Sequence, residues 1–125
     1  MSAKLQVVVG PDRGRTFAVA PNGTLNIGRS HTTDTQLTDA AVSRLHCRIE
    51  FDGHTAVLYN VSAKGTRVNG APAAQLELRH GDLVRIGDTE LRFALASLSD
   101  AETLLHPAAL DSQLDAPGKG EPAGA

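Results

Sequence analysis

The stretch NIGRSHTTDTQLTDAAVSRLHCRIEF, residues 26–51, separates two arginines by a polar segment. Arg29 follows a glycine at the end of a short apolar run, whereas Arg44 follows Ser43. From His46 onward, apolar and polar residues alternate, which predicts a β-strand with one buried face. The stretch therefore predicts two strands joined by a long polar loop that contains both arginines.

These loop residues have the chemistry of an anion-binding site. We expect Arg29 at the end of one strand and Ser43 with Arg44 just before the next, so that their side chains converge. A guanidinium offers five donors in a planar fork that matches phosphate oxygens, and a hydroxyl adds a neutral donor. The spacing alone fits equally well a set of solvated loop residues, with Arg29 paired to Asp34 or Asp39, and leaves both interpretations open.

Short runs of alternating or β-branched apolar residues recur between residues 4 and 95, and each is followed by a turn signal. Leu5, Val7 and Val9 alternate before the turn sequence GPDRG, and Asp-Gly follows the strand that closes the quoted stretch. No window in this region keeps a helical period of useful length. The pattern is typical of an all-β sandwich or barrel.

The length of 125 residues and an apolar fraction of 41% fit one domain with its own core. The composition changes after Leu95: helix formers follow up to Pro107, and the last residues are rich in proline, glycine and alanine. We therefore expect a domain at residues 1–98 and a C-terminal extension at residues 99–125. The first part of the extension has the composition of a short helix, and the remainder that of a disordered tail or linker.

The charge is divided unevenly along the chain, and this division bears on the partners. Residues 1–99 contain 11 Lys and Arg against 9 Asp and Glu, whereas residues 100–125 contain one lysine against five acidic residues. A nucleic-acid-binding surface would need a basic stripe with aromatic platforms, but the four aromatic residues lie within the predicted strands. We expect a local anion site and no nucleic-acid partner.

Membrane attachment and secretion are not predicted. No apolar run is long enough to span a bilayer, and the first residues lack the apolar length of a secretion signal. The single cysteine, Cys47, cannot form an internal disulfide and is expected to be a small core residue. We therefore expect a cytoplasmic protein with no membrane partner.

The sequence predicts neither a catalytic nor a metal site. Ser43 and His46, with one of the nearby aspartates, have the residue types of a hydrolase triad, but no glycine-flanked nucleophile turn accompanies them. No CxxC or HxxxH spacing occurs, and the adjacent strand residues His46 and Cys47 point to opposite faces. We expect a binding module that is not an enzyme and needs no cofactor.

Four motifs occur in order along the chain: GR at residues 28–29, VSRLH at 42–46, GTRVNG at 65–70 and LRHGDLVRIG at 78–87. A final apolar strand pattern follows them. Together they resemble the forkhead-associated (FHA) domain family over residues 4–96. The resemblance implies a β-sandwich of about eleven strands that binds phosphothreonine, within an extended peptide, through the loops at one end.

The resemblance also implies roles for individual residues. It implies phosphopeptide contacts from one set of loop residues: Arg29, Ser43, Arg44, Thr66 and Asn69. Lys64, which stands where the family has asparagine, is expected to add charge near the phosphate. The resemblance implies structural roles for a second set: Gly28, His46, Gly65 and Gly70. In the family, the arginine and the serine bind the phosphate, the histidine braces the loops, and the asparagine holds two recognition loops together.

One loop, SAKGT, departs from the family pattern, which has Ser or Thr and then Asn before Gly-Thr. Ala63 has no donor for a phosphate, and Lys64 has donors but no acceptor for the peptide main chain.

The implied function is a phosphothreonine-peptide-binding module in kinase-linked signalling and protein–protein interaction. Its partner would be a threonine-phosphorylated protein, such as a Ser/Thr kinase or its substrate, and the module itself would be a monomer. The departure in SAKGT favours an alternative, a phospho-independent scaffold or oligomerisation domain.

Overall fold

The computed structural model describes residues 1–96, and this part of the chain contains ten β-strands and no helix. Each strand is short, because turn sequences interrupt the apolar alternation. In chain order the strands are β1 (Ser2–Val9), β2 (Thr16–Val19), β3 (Gly23–Ile27), β4 (Cys47–Phe51), β5 (Ala56–Asn60), β6 (Arg67–Val68), β7 (Ala71–Pro72), β8 (Gln75–Leu78), β9 (Leu83–Ile86) and β10 (Thr89–Ala96).

The strands form two sheets. The six-stranded sheet has the order β2-β1-β10-β9-β6-β7, and the four-stranded sheet has the order β3-β4-β5-β8. The predicted all-β sandwich is confirmed, with ten strands in the described residues where about eleven were expected. Residues Met1–Leu95 form one compact unit. The predicted helical segment and tail after residue 98 lie outside the described residues.

The core consists of inward-facing residues from both sheets. In β4, Cys47, Ile49 and Phe51 are buried while Glu50 is exposed, as a period of two requires. Fully burying one large apolar side chain stabilises a fold by about 1.5–3 kcal/mol. The largest fully buried side chains include Phe93, Leu5, Ile27, Leu58, Ile86 and Leu91.

The apolar alternation in β1 ends earlier than the sequence predicts. Leu5 and Val7 are fully buried, but Val9 is 44% exposed. The chain turns at the next residue, Gly10, whose φ of 122° is a conformation that favours glycine. Val9 therefore lies at the edge of the turn between β1 and β2, outside the core.

The register of the four-stranded sheet brings three strand ends together: the ends of β3 and β5 and the start of β4. Ile27, the last residue of β3, is paired with Cys47, and Cys47 is paired with Asn60, the last residue of β5. Residues 28–46 and 61–66 therefore lie at the same edge of the sandwich, the one at which β3 and β5 end and β4 begins. Most of the residues that the sequence predicts to bind a ligand lie at this edge.

Gly28 allows the two ends of the loop from β3 to β4 to approach each other closely. The Ser30 amide donates to the Arg44 carbonyl oxygen at 3.0 Å, which brings the two backbones together. A Cβ atom at Gly28 would overlap the Arg44 carbonyl group and would lie 2.8 Å from its carbon. The absence of a side chain at Gly28 therefore sets the distance between the first and last parts of the loop from β3 to β4, which carry the two arginines.

Asp39 connects the loop before β4 to the turn between β9 and β10. Its buried carboxylate accepts a hydrogen bond from the Ala41 amide at 2.9 Å. It also accepts bonds from the Asp88 amide at 2.9 Å and from the Thr89 hydroxyl at 2.8 Å. Burial by itself would raise the pKa of this carboxyl, but the three hydrogen bonds and the positive charge of Lys64 together lower the pKa below its usual value.

We expect Asp39→Ala to lower the free energy of unfolding by about 2–3 kcal/mol, because two amides and a buried hydroxyl lose a charged acceptor. Asp34→Ala is the matched control: Asp34 is exposed and its carboxylate accepts one bond, from the Asn26 amide, so a loss of about 1 kcal/mol is expected. Urea denaturation measures both values. Equal losses would contradict a structural role for Asp39 beyond that of an ordinary loop aspartate.

Candidate functional site

Arg29 lies at the start of the loop after β3 and is exposed. Its amide donates to the Ser43 carbonyl oxygen at 3.1 Å, and its Nε donates to the Val42 carbonyl oxygen at 2.6 Å. These bonds hold one edge of the guanidinium against the loop before β4. Within residues 1–96 the two Nη groups have no protein acceptor, so they are available to an anion.

The structure contradicts the alternative in which Arg29 pairs with a nearby aspartate. Asp34 accepts the Asn26 amide at 2.6 Å, and Asp39 accepts the three bonds described above. No carboxylate of residues 1–96 forms an ion pair with Arg29. Backbone carbonyls therefore orient this arginine without neutralising its charge.

Ser43 contacts Ser62, a residue that the motifs do not single out. The two hydroxyl oxygens are 2.5 Å apart, and the Ser62 oxygen also accepts the Lys64 amide at 3.0 Å. Either hydroxyl can be the donor of this pair, and in one of the two directions Ser62 donates its proton to Ser43. This direction leaves the Ser43 proton free for an acceptor outside the protein.

The sequence could have predicted one of the two hydrogen bonds of Ser62. A serine that opens a loop often accepts the amide two residues later, which is the bond made to Lys64. The contact with Ser43 joins residues 19 positions apart and has no sequence signature. Only the path of the two loops brings the hydroxyl groups together.

His46 is fully buried and joins the loop that carries Ser43 to the loop that carries Gly65. Its Nδ1 accepts the Ser43 amide at 3.0 Å, and its Nε2 lies 2.7 Å from the Gly65 carbonyl oxygen. Because Nδ1 is an acceptor, the ring proton is on Nε2, which donates to Gly65. The predicted bracing position of His46 thus corresponds to a neutral imidazole with both nitrogens bonded.

The environment of His46 favours this neutral form. Burial lowers the pKa of the imidazole below its usual value, the bond to Gly65 opposes this effect, and the ammonium of Lys64 adds to the lowering. Protonation of Nδ1 would also remove the acceptor of the Ser43 amide. A charged His46 is therefore incompatible with the observed loop arrangement.

Lys64 forms a second link between the SAKGT loop and the loop that carries Ser43. Its Nζ donates to the Ala41 carbonyl oxygen at 3.2 Å, next to the Val42 carbonyl that binds Arg29. Two cationic side chains are therefore anchored on consecutive carbonyl groups, beside Ser43. Ala63 is exposed at this position and offers no donor.

Arg44 is exposed, and its carbonyl oxygen accepts the Ser30 amide at 3.0 Å. Its guanidinium has no protein partner within residues 1–96. It adds a third cation to the loops around Ser43. The edge therefore combines neutral and cationic donors, which is the chemistry required to hold an anion.

Thr66 ends the SAKGT loop and is largely buried. The residue is 3% exposed, and its hydroxyl donates to the Asn60 side-chain oxygen at 2.9 Å. The Asn60 amide in turn donates to the Ser62 carbonyl oxygen at 2.9 Å. Thr66 therefore supports the SAKGT loop through Asn60, and it also lines a surface cleft beside Lys64 and Gly65. A direct contact of Thr66 with a phosphopeptide stays a prediction.

Asn69 and Gly70 form the turn between β6 and β7, with φ values of 52° and 86°. The Asn69 side-chain oxygen accepts the Leu83 amide at 3.0 Å, and its Nδ2 donates to Asp82 at 3.0 Å. These bonds connect the turn to the start of β9. They do not reach the loops of Arg29 and Ser43, so the side chain is not brought together with the anion-binding edge.

The described part of the chain contains neither a reactive thiol nor a group of metal ligands. Cys47 is buried, and burial raises the pKa of its thiol to about 12 despite a bond with Thr66, so the thiol is protonated at neutral pH. Residues 1–96 contain no group of three His, Cys, Asp or Glu side chains that could hold a metal ion. They also contain no helix with the length and apolarity needed to cross a membrane.

The buried imidazole predicts a pH dependence of stability. Unfolded His46 binds a proton at about pH 6.5, whereas the folded protein binds it only at lower pH, so the free energy of unfolding should fall as pH drops below about 6.5. The slope from this group is at most about 1.4 kcal/mol per pH unit. Urea denaturation at pH 7.5, 6.5 and 5.5 measures it.

Two variants identify the responsible histidine. His54→Asn, at an exposed position, should keep the slope of the wild type, whereas His46→Ala should have a lower stability at pH 7.5 and a smaller slope. An undiminished slope in His46→Ala would mean that another group titrates.

Residues 6–97 match the family model of the cytoplasmic domain of the inner membrane component of T3SS, a domain that is itself FHA-like. The FHA domain-containing protein FhaA of Mycobacterium tuberculosis is 38% identical over 79 residues, which are 62% of this chain and 15% of FhaA. The chain thus corresponds to a small part of that relative.

Solved FHA domains have the same fold. An FHA domain studied for its phosphothreonine-dependent interactions is 35% identical, with a TM-score of 0.72 over 78% of this chain and 100% of that one. The FHA domain of FhaA, in complex with the intracellular domain of Rv3910, is 36% identical, with a TM-score of 0.67 over 74% of this chain and 99% of that one. Sequence, family match and fold agree, and the chain belongs to the forkhead-associated domain family.

Proposed function

We propose that the chain is a phosphothreonine-peptide-binding module. One observation supports this proposal above the others: Arg29 and Lys64 are anchored on the adjacent carbonyls of Val42 and Ala41, beside the Ser43 hydroxyl. Backbone carbonyls orient both cations, and no described carboxylate forms an ion pair with either of them. An anion with several oxygen atoms matches this set of donors better than any single neutral group.

The mechanism that we infer is local capture of a dianionic phosphate. The Nη groups of Arg29 donate to phosphate oxygens as charge-assisted bonds, and the free proton of Ser43 adds a neutral bond. Arg44 contributes positive charge from the same loop. Gly28, His46 and Gly65 hold these donors in place through close packing and hydrogen bonds.

The SAKGT loop contributes differently from the usual family loop. Lys64 supplies a point charge that a flexible side chain carries, and Ala63 supplies no hydroxyl. Attraction to phosphate is thus retained, while bonding to the peptide main chain is reduced. We therefore infer an affinity with a strong salt dependence and a broad tolerance of the residues around the phosphothreonine.

The partner would be a threonine-phosphorylated protein, such as a Ser/Thr kinase or its substrate, in the cytoplasm. The similar FHA domain studied for phosphothreonine-dependent interactions supports this class of ligand. The FhaA domain, solved with the intracellular domain of another protein, supports a protein partner. The module would act as a monomer and without catalysis.

A second candidate, a phospho-independent scaffold or oligomerisation domain, is favoured by one observation. Ala63 has no donor for a phosphate, and Lys64 uses one of its three donors on the Ala41 carbonyl. Equal binding of phosphorylated and unphosphorylated forms of a partner would establish this alternative.

Titration of a phosphothreonine peptide library and its unphosphorylated counterpart should show binding only to the phosphorylated form. Arg29→Ala should weaken that binding by about 2–3 kcal/mol, or roughly 30- to 150-fold, because it removes the strongest charge-assisted contact. Arg13→Ala is the control, since it removes one exposed positive charge from the turn between β1 and β2. Similar losses in both variants would indicate a general charge effect and would exclude the assigned site.

Ser62→Ala tests the pair of hydroxyl groups. We expect a loss of about 1 kcal/mol in phosphopeptide affinity, because Ser43 would then lose the group that directs its proton outward. The double variant with Ser43→Ala should bind no more weakly than Ser43→Ala alone, since the Ser62 effect acts through Ser43. Additive losses in this double-mutant cycle would show that Ser62 acts independently, and Ser62→Thr should restore the affinity.

A further inference from the structure

The turn between β1 and β2, residues 10–15, contacts the middle of the loop from β3 to β4. The Val7 amide in β1 donates to the Arg15 carbonyl oxygen at 2.9 Å, which closes the turn on a fully buried strand residue. The core therefore fixes the place of the turn. Two of its side chains, Asp12 and Arg15, extend from there to residues 35–38.

Asp12 anchors Thr38 from this turn. The Asp12 side chain is 6% exposed, and its carboxylate accepts the Thr38 amide at 2.8 Å and the Thr38 hydroxyl at 3.0 Å. The Nη1 of Arg15 adds a third bond at 3.3 Å. A buried carboxylate is stable only where such donors surround it. Asp12 and Thr38, which are 26 residues apart, therefore form a fixed connection between the turn and the loop.

Arg15 binds the two consecutive carbonyl groups of Thr35 and Gln36. Its Nη2 donates to the Thr35 carbonyl oxygen at 2.6 Å, and its Nη1 donates to the Gln36 carbonyl oxygen at 3.2 Å. The ring of Phe17 in β2 lies against the guanidinium, with its centroid 5.0 Å from Cζ. The planar fork is thus oriented by Asp12 and Phe17 and grips the backbone of the loop.

Gln36 is the residue that this grip holds. Its φ of 44° lies in the left-handed region, which few residues other than glycine adopt. Such a conformation persists only where the surrounding structure over-determines it. The two carbonyl groups that Arg15 binds lie on either side of the Gln36 Cα atom. Without Arg15, we expect this part of the loop to relax to other conformations.

The anchored segment in turn holds the residue before Arg29. The Thr35 hydroxyl oxygen lies 3.1 Å from both the amide nitrogen and the carbonyl oxygen of Gly28. The Leu37 amide donates to the same carbonyl oxygen at 2.8 Å. The two peptide groups of Gly28 set the path of the chain into Arg29. A chain of contacts therefore leads from the turn between β1 and β2 to the Arg29 guanidinium.

We propose that Asp12 and Arg15 are positioning residues of the anion-binding edge. They hold residues 35–38, which hold Gly28 and thereby the direction of Arg29, and they act without contacting the ligand. The inference rests on the proposed function, which assigns Arg29 to the phosphate. Donors that are already held in their bound arrangement lose less conformational freedom on binding, so the turn raises the affinity from outside the site.

The first experiment compares two arginines of the same turn. Arg15→Ala should weaken phosphopeptide binding about 3- to 10-fold, because the strained segment beside Gly28 is released. Arg13→Ala is the matched control: it removes the same charge from an exposed side chain that forms no ion pair within residues 1–96, and the affinity should stay near that of the wild type. Equal losses in the two variants would overturn the proposal.

Double variants separate positioning from a general loss of stability. If Arg15 acts through Arg29, the affinity loss from Arg15→Ala should persist in a Ser43→Ala background and vanish in an Arg29→Ala background. The effect of Arg15→Ala on the free energy of unfolding should be the same in both backgrounds. An equal affinity loss in both backgrounds would refute a positioning role for Arg15. If Arg15→Ala does not fold, Arg15→Lys replaces it, because a lysine keeps the charge but lacks the fork that binds two carbonyls.

A measurement without ligand decides the proposal even if no phosphopeptide binds, which would refute the proposed function alone. The Arg29 Nε–H donates to the Val42 carbonyl oxygen, so its NMR resonance and its exchange with water report the direction of the guanidinium. In the ¹⁵N-labelled chain, Arg15→Ala and Asp12→Asn should shift this resonance and speed its exchange, whereas Arg13→Ala should leave both unchanged. An unchanged Arg29 resonance in folded Arg15→Ala refutes the proposal.

Discussion

The neutral imidazole of His46 joins the two loops at the end of the sandwich that carries the arginines, and the arrangement of that end depends on it. It is fully buried, and its two nitrogens bond to the Ser43 amide and to the Gly65 carbonyl oxygen. One tautomer alone satisfies both partners. A buried polar group left without a partner costs about 1–3 kcal/mol, so neither loop can move without the other. The positions of Ser43 and of the SAKGT loop are therefore coupled through one side chain.

A second constraint determines where the charges of this end are placed. Asp39, an acidic residue of the loop before β4, is buried, and its carboxylate accepts hydrogen bonds from its own loop and from the turn between β9 and β10. Arg29 and Lys64, in contrast, rest on backbone carbonyls. A carbonyl orients a cation but leaves its net charge intact, whereas an ion pair would cancel it. Neither cation thus forms a direct ion pair with a described carboxylate, which favours a multiply charged anion at this place.

The same reasoning extends to the six-stranded sheet, where Arg67 and Arg85 are opposed. Each electrostatic arrangement of this kind lowers the stability of the isolated domain by a small amount. The nearby carboxylates already have partners, because Glu90 pairs with Arg85 and Asp82 accepts a hydrogen bond from Asn69.

The sequence by itself determined the class of fold and the chemistry of the main site. Alternation at Cys47, Ile49 and Phe51 predicts a strand with one buried face, and this holds because side-chain direction in a strand is a local property of the backbone. The motifs around Arg29, Ser43 and His46 predict an anion-binding edge. The left-handed turn at Asn69 and Gly70 is likewise a local preference of those residue types.

The tertiary structure alone decided which groups meet across the fold. The contact of Ser43 with Ser62, the bonds of Asn69 to the start of β9 and the opposition of Arg67 and Arg85 all join residues distant in sequence. Each depends on sheet register and loop path, which result from the packing of the whole core. Even His46, which the alternation places with Arg48 and Glu50, is buried because a loop 19 residues further along covers it. Local patterns specify which chemistry is available, and only the register of the two sheets specifies which groups can act together.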